Sequence, residues 1–420
     1  MQAVNHGCSI SVSDVTAAFL QSDPIKEQIA VPAPPEAGLP PGCLLRLVND
    51  AHGRCSAPRA WCEKLARHLV DALGFERSLA DPCLFRLKED GSLLVVHVDD
   101  LMWTTLSPAM KTAMEQLQKD FKFSETSTDN VEHCGVKING DTVKGEPTFS
   151  LAHYIRSCLT EVPVDESAVP SSVESEVRSA LGMMQHVAGV ARPDIACTTS
   201  ALSGVVADLR WDDVREVNKL VRCLHHTADA ACKLSKMDMS SAVMMAFSDA
   251  AFRNMPGERS QQGGHLVHLR DDHGVVNLID WSSARLVRKV RCTFTAELSQ
   301  VMTMADDTLF LRELLRFSYG VDLAANVRCD CLSLVRNTHS HSRSVRQKSV
   351  TPDLNALHEM LVTGDVASLE HVPSRLNPAD GTTKPDHTLR IPILRLLSGV
   401  DALWKHDPMV TGLFRPKPTH

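Results

Sequence analysis

Leu93-Leu-Val-Val-His-Val98 and Leu101-Met-Trp-Thr-Thr105 are two apolar runs separated only by Asp99-Asp100. Runs of this kind read as strands, and so short a gap makes them a hairpin with two carboxylates at its tip. Acids enclosed by apolar strand sequence are costly unless paired or metal-bound. Asp212-Asp213, Asp271-Asp272 and Asp306-Asp307 are further acidic pairs, but each lies in polar or helical sequence, where solvated surface accounts for it. Upstream, Cys8, Ile10, Val12 and Asp14 alternate with Ser9, Ser11 and Ser13, the pattern of a half-buried strand ending in an acid. Carboxylates converging from separate strands are what two-metal phosphoryl transfer requires, because Mg²⁺ takes hard oxygen ligands and paired ions stand about 3.5–4 Å apart.

The chain has 420 residues, 43% hydrophobic and 23% charged, enough for two or three domains with their own cores. A net charge of −7 gives no global field favouring polyanions. Basic clusters at Arg285–Arg291 and Arg336–Lys348 read as solvated surface unless an active site adjoins them. The 13 cysteines are odd in number and form no CxxC pair, which points to a reducing compartment rather than a disulfide framework or zinc module. Cys329-Asp330-Cys331 has the spacing of a strand with both thiols on one face, and zinc is not expected there. No stretch approaches the roughly 20 apolar residues of a membrane span. The first residues lack a secretory signal pattern.

Along the chain, a Pro/Gly-rich loop covers Pro32–Gly42, and Ser56 with Pro58 opens a helix carrying Trp61, Leu65, Leu69 and Leu73 on one face. Ser107-Pro108 opens another, with Met110, Met114, Leu117 and Phe121 as its stripe. Residues 140–242 read as mainly helical, with a loop at Val162–Ser172. Strands are expected at Val243–Phe247, Gly264–Leu269, Val275–Ile279, Val327–Asp330 and Leu369–Val372, and a long helix at Thr295–Leu315. Asp249 and Asp330 end strands, while Glu297 in a first helical turn and Asp380 at a helix start also suit the helix dipole. Pattern alone leaves the metal and structural readings of these four acids open.

The order of short motifs is more specific. Asp14-Val-Thr-Ala-Ala-Phe-Leu20, Ala57-Pro-Arg-Ala-Trp61, Asp81-Pro-Cys-Leu-Phe85, His97-Val-Asp-Asp100, Gly135-Val-Lys-Ile138 and Arg192-Pro-Asp-Ile-Ala196 occur in sequence. Ser248-Asp-Ala250, Asp280-Trp-Ser-Ser283, Ala296-Glu297, Cys329-Asp330 and Ala379-Asp-Gly-Thr-Thr-Lys384 follow. This series resembles the reverse transcriptase and RNase H region of the Pol polyprotein of copia-type LTR retrotransposons, over nearly the whole chain to about residue 384. The resemblance implies a multidomain α+β and α/β fold. Residues 1–140 would be a truncated palm lacking most of the fingers, 141–242 a mainly helical thumb or connection, 243–384 an RNase H-like α/β domain, and 385–420 a tail with a short apolar helix at Ile391–Leu397.

It also implies roles. Asp14, Asp99 and Asp100 would hold two Mg²⁺ (or Mn²⁺) ions for nucleotide transfer, and Asp249, Glu297, Asp330 and Asp380 two ions for RNA cleavage. Phe19 would crowd a ribose 2′-hydroxyl, with a plain core role as its alternative, and Gly53 with Pro58 would pack against template and incoming base. Expected partners are an RNA template, a DNA primer, the RNA–DNA hybrid and dNTPs. No membrane is expected. The implied location is intracellular, in a cytoplasmic virus-like particle or the nucleus. The chain begins only thirteen residues before Asp14, so the basic fingers residues that grip a triphosphate are not in it, and the polymerase half is expected to be impaired. Family tyrosines appear as His52, His97, Phe252 and Leu298. The RNase H half retains all four acids and is expected to be the more competent. The alternative expectation is an inactive remnant that at most binds nucleic acid.

Overall fold

The computed structural model describes residues 1–140, 146–252, 261–288, 290–340 and 348–400. It is a mixed α/β structure with several sheets. A short helix α1 (Gln2–His6) leads into β1 (Ile10–Asp14), buried as far as Ser13 before Asp14 emerges at the surface. The next strands, β2 (Pro24–Pro32) and β3 (Leu44–Asn49), pair only with each other, as an antiparallel ribbon around the expected Pro/Gly-rich loop. This ribbon was not expected from sequence. It is exposed along most of both strands, so it carries no clear alternation of apolar and polar residues.

Helix α2 (Ala57–Asp71) starts with Pro58 in its first turn and buries Trp61, Leu65 and Leu69. It is followed by β4 (Phe75–Arg77), β5 (Leu84–Leu87), β6 (Leu93–His97), β7 (Asp100–Thr104), α3 (Pro108–Asp120) and β8 (Ser127–Thr128). Ser107 caps α3 by accepting the Ala109 N–H at 3.1 Å. The six-stranded sheet has the order β4-β5-β6-β7-β1-β8. Its strands alternate as a two-faced sheet should. Leu101 and Trp103 of β7 face a core shared with α2 and α3, while Met102 joins Ile10 and Val12 in a second cluster.

That second cluster is completed by β9 (Val131–His133) and β10 (Val136–Asn139), which form a hairpin. With β11 (Thr148–Ser150) and β12 (Cys232–Lys233) they make a sheet of order β12-β11-β10-β9. Between β11 and β12 lie helices α4 (Ala152–Cys158), α5 (Glu174–Val190), α6 (Ala196–Ser203) and α7 (Trp211–His226), sharing one core. The Arg192-Pro-Asp-Ile-Ala196 motif has a structural use there. Buried Arg192 pairs with buried Asp194 at 2.8 Å and donates to the Thr227 carbonyl at 2.8 Å, tying the end of α5 to the end of α7.

The last unit has β13 (Val243–Phe252), β14 (Gln261–Arg270), β15 (Val276–Arg285), α8 (Thr293–Tyr319), β16 (Ala325–Cys329), α9 (Leu332–His339), α10 (Thr351–Thr363), β17 (Ser368–His371) and α11 (Arg390–Leu397). Its sheet order is β15-β14-β13-β16-β17, antiparallel across β13, β14 and β15 and parallel across β13, β16 and β17. Leu298, Val301, Met304 and Ala305 of α8 pack with Met244 and Ala246 of β13 in the main core. Two expectations change. Cys331 does not share a strand face with Cys329, because β16 ends at Cys329 and Cys331 is the N-cap of α9. Asp271 is not solvated surface: it is 4% exposed and accepts the Val275 N–H at 2.8 Å, closing the β14–β15 turn. The Arg285–Arg291 and Arg336–Lys348 clusters and the tail beyond residue 400 lie partly or wholly outside the described residues. Among the described residues, no helix is long and apolar enough to cross a membrane.

Trp61 is fully buried, and its indole N–H donates to the Val98 carbonyl at 2.7 Å, so it both fills the core and holds the β6–β7 turn. Trp61→Ala is expected to cost about 3–5 kcal/mol in the stability of this unit. Trp61→Phe, which keeps most of the volume and loses the hydrogen bond, should cost less. Urea unfolding followed by far-UV circular dichroism ranks the two, and equal midpoints would refute the anchoring role.

Candidate functional sites

Asp249 does not end its strand as expected, because β13 runs on to Phe252. It follows Ser248, which pairs with Cys329 in the parallel β13–β16 ladder, so it lies beside Asp330, the residue just past the end of β16. Glu297 reaches this point from α8. Carboxylate oxygens of Asp249, Glu297 and Asp330 lie within 4.8 Å of one another. Asp249 and Glu297 are 2% and 3% exposed, so water contributes little to their solvation. Glu297 is not in a first helical turn, because α8 begins at Thr293, and the dipole account of this acid weakens accordingly.

Asp380 sits on a short 3-10 helix, Pro378–Thr382, pinned to the sheet by an Asn377 side-chain N–H donated to the Ser248 carbonyl at 2.8 Å. Gly264, opposite Asp249 in β14, makes room for this segment. A Cβ there would overlap the Thr382 side chain and approach its carbonyl oxygen at 3.0 Å. The Lys384 ammonium lies 3.0 Å from Asp380 Oδ1 and 3.5 Å from Asp249 Oδ2. Thr383 Oγ1 donates to Asp249, and Ser374 Oγ donates to Asp330 Oδ2 at 2.7 Å. Asn377, Thr383 and Ser374 are contacts that sequence reading missed. Lys384 and Thr383 stood inside a motif noted only for its aspartate.

The electrostatics are those of a site short of positive charge. Burial, then the Asp249 and Asp330 carboxylates, push Glu297 up to about 9. Burial, then Asp249, push Asp380 up to about 6. Burial also raises Asp249, opposed by Lys384. Glu297 Oε2 is shut off from solvent and has no hydrogen-bond partner. Hard oxygen donors from three elements, one of them orphaned, fit a divalent cation of the Mg²⁺ or Mn²⁺ kind.

The second group of acids lies on the six-stranded sheet. Asp14 of β1 pairs in register with Asp100 of β7, and Asp99 occupies the β6–β7 turn, where Val98 has φ +59°. The Asp99 carbonyl accepts the Val15 N–H at 2.7 Å, holding the turn against β1. Asp14 is exposed, yet partial burial and then the Asp99 and Asp100 charges raise its carboxyl above the usual range. Asp100 is engaged by the β9–β10 hairpin: its Oδ2 accepts the Cys134 N–H at 2.9 Å, and His133 Nδ1 lies 3.0 Å from its Oδ1. These two residues precede the noted Gly135–Ile138 segment and carried no signal of their own.

Phe19 is partly buried against the α2 core, with its ring 4.7 Å from that of His52. Gly53, next in the chain, has φ +92°, a turn conformation that suits glycine. Arg54 ion-pairs with Asp50 at 2.6 Å and Glu27 at 2.7 Å, linking this turn and the Pro58-initiated helix to the β2–β3 ribbon. Phe19 and the turn before Gly53 are therefore brought together, and the Asp14 group and the Asp249 group remain two separate constellations.

No protein-family model matches this chain, and no curated protein sequence matches it. Solved structures similar to it include LC11-RNase H1, isolated from compost by a metagenomic approach, in complex with RNA/DNA hybrid. That match has 22% identity and a TM-score of 0.24, covering 33% of this chain and 91% of that one. The foamy viral protease-reverse transcriptase in complex with dsDNA is similar at 12% identity and a TM-score of 0.23, covering 87% of this chain and 68% of that one. The native prototype foamy virus protease-reverse transcriptase is similar at 10% identity and a TM-score of 0.24, covering 93% and 67%. At these scores the likeness assigns no residue and no reaction to this chain.

The raised Glu297 value has a consequence for stability in the absence of divalent ions. The folded protein keeps a proton that the unfolded chain releases above its ordinary value near 4.5. The associated stability is complete below that value and is lost as pH rises toward about 9. In chelator, the wild-type urea midpoint should therefore fall relative to Glu297→Gln between pH 5 and pH 9. Parallel pH profiles for the two proteins would contradict this.

Proposed function

We propose that the chain is a reverse transcriptase/RNase H-type protein of copia kind. On this reading residues 243–384 form a nuclease unit acting on the RNA strand of RNA–DNA hybrids, and residues 1–140 form a palm. The observation that carries the nuclease reading is the buried convergence of Asp249, Glu297 and Asp330 from three elements, with an orphaned Glu297 oxygen among them. The ordered motifs running from Asp14 to Lys384 support the family and the substrate class.

In this reading Asp249, Glu297, Asp330 and Asp380 would hold two divalent ions. Bound there, such ions would polarise the scissile phosphate and make a nucleophilic water available at neutral pH. The chain's own groups prepare the site. Ser374 orients Asp330, Thr383 orients Asp249, and Asn377 fixes the segment that carries Asp380. Lys384 supplies countercharge to Asp249 and Asp380 and offsets the repulsion among the carboxylates. An A-form-like hybrid would be recognised through its wide minor groove and 2′-hydroxyls.

The palm reading is weaker. Asp14, Asp99 and Asp100 share one end of the sheet, but Asp100 is engaged on both oxygens by the β9–β10 hairpin. That arrangement favours the second reading for this half, a nucleic-acid-binding platform that does not transfer nucleotides.

A labelled RNA–DNA hybrid incubated with purified protein and Mg²⁺ or Mn²⁺ tests the nuclease unit. Cleavage should fall by about 10²-fold or more in Asp249→Asn and in Asp330→Asn, the scale at which one electrostatic group in a site changes rate. Undiminished cleavage in either variant would sink the assignment. Lys384→Met should keep cleavage and lower the Mg²⁺ concentration needed for half-maximal rate, since the ammonium and a divalent ion compete for the same carboxylates.

A further inference from the structure

The β9–β10 hairpin meets Asp100 with more than a backbone N–H. Cys134 turns at φ +50° and Gly135 at φ +77°, a left-handed pair that a non-glycine residue enters only at a cost of about 1 kcal/mol. The turn directs both the N–H and the thiol of Cys134 toward one carboxylate: Sγ lies 3.8 Å from Asp100 Oδ2, and N lies 2.9 Å from the same oxygen. His133, 11% exposed at its side chain, approaches the other oxygen. Its Nδ1 is screened from solvent and lies 3.0 Å from Asp100 Oδ1.

One nitrogen, one sulfur and one oxygen thus lie within 4.8 Å of one another. A tetrahedral ion bound at about 2.0–2.3 Å sets its donors about 3.5 Å apart, close to the 3.0 Å between His133 Nδ1 and Asp100 Oδ1 and the 3.8 Å between Cys134 Sγ and Asp100 Oδ2. The donors differ in kind from the all-oxygen set at Asp249, and softness selects between ions. Thiolate and imidazole favour zinc-type ions, whereas Mg²⁺ prefers carboxylates and water. Beside the donors, His133 and Cys134 line a cavity of about 380 Å³ walled by Met102, Phe149 and Trp281, which leaves a fourth coordination position accessible.

We propose that Asp100, His133 and Cys134 form a binding site for a zinc-type divalent cation, with the fourth position open to water or to a ligand entering the cavity. Binding releases the Cys134 thiol proton to solvent as the sulfur joins the ion, and sets the ion between His133 Nδ1 and the Asp100 carboxylate. An ion held there takes Asp100 away from Asp14 and Asp99. The consequence for nucleotide transfer rests on the palm reading given above, and the binding itself does not.

Co²⁺ and Zn²⁺ are the probes, added to the reduced full-length protein. Co²⁺ bound through a thiolate produces a near-ultraviolet charge-transfer band, and tetrahedral coordination gives strong visible bands. One equivalent should produce both, with Zn²⁺ bleaching them and a large excess of Mg²⁺ leaving them in place. Cys134→Ser, a change at an exposed position, should abolish the charge-transfer band, and His133→Ala should weaken Zn²⁺ binding by at least about tenfold. Cys292→Ser, at another exposed cysteine, should leave both readouts unchanged. A band that survives Cys134→Ser, or that never forms in the wild type, overturns the proposal whatever the outcome of the hybrid-cleavage assay.

Discussion

The parallel pairing of β13 with β16 is the constraint on which the buried acidic site depends. In a parallel pair the two strands run in the same direction, so the register that matches Ser248 with Cys329 sets the next residues, Asp249 and Asp330, side by side about one strand spacing apart. A parallel pair also demands a crossover connection, and here that connection contains α8. The crossover helix brings Glu297 to the same point, so the topological requirement and the third carboxylate are met by one element. On the other side of β13 the pairing is antiparallel, which places Gly264 opposite Asp249 and lets the Thr382 backbone approach the sheet. Asp380 and Lys384 follow from that approach.

The parts of this arrangement that were legible in the sequence are those with strong local periodicity. The Asp99-Asp100 hairpin, the α2 and α3 stripes and the acid-terminated strand at Asp14 follow from alternation or helical spacing backed by a turn or cap signal. The elements that escaped notice lack that contrast. The β2–β3 ribbon has little core side to impose alternation, and β12 is two residues paired with a strand some eighty residues earlier. Helix limits also slipped. Placing the start of α8 at Thr295 made Glu297 look like a dipole-favoured acid, whereas the two residues gained from Thr293 move it beyond the first turn.

Side-chain partnerships were the least legible. Asp99 and Asp100 stood out by pattern, because acids enclosed by apolar strand sequence are costly, whereas Asp249, Glu297, Asp330 and Asp380 were named only through the ordered motifs of the resemblance. Their partners could be named in neither way. Lys384, Thr383 and Ser374 are ordinary loop residues until the sheet brings them to Asp249 and Asp330. His133 and Cys134 lie more than thirty residues from Asp100, and no CxxC-like spacing marks them. A cysteine framework read from spacing alone therefore argues against zinc modules built from paired cysteines, and says nothing about a mixed donor set assembled across two hairpins.

The two acidic groups differ in how deeply they are placed, and depth decides what each must bind. Around Asp249 the carboxyl groups of Asp249, Glu297, Asp330 and Asp380 lie close together with the Lys384 ammonium beside them, and the burial of Asp249 and Glu297 opposes leaving all of them charged. Protons or added cations must make up the difference, which is why Glu297 holds its proton to about 9 in the absence of a metal. Asp14 reaches solvent, so water shares the load there, and the half-buried Asp100 is satisfied by a backbone N–H with an imidazole alongside. A site of the first kind has a standing demand for divalent cations. A site of the second kind can remain empty at little cost, and its donors, rather than its charge, then determine which ion it accepts.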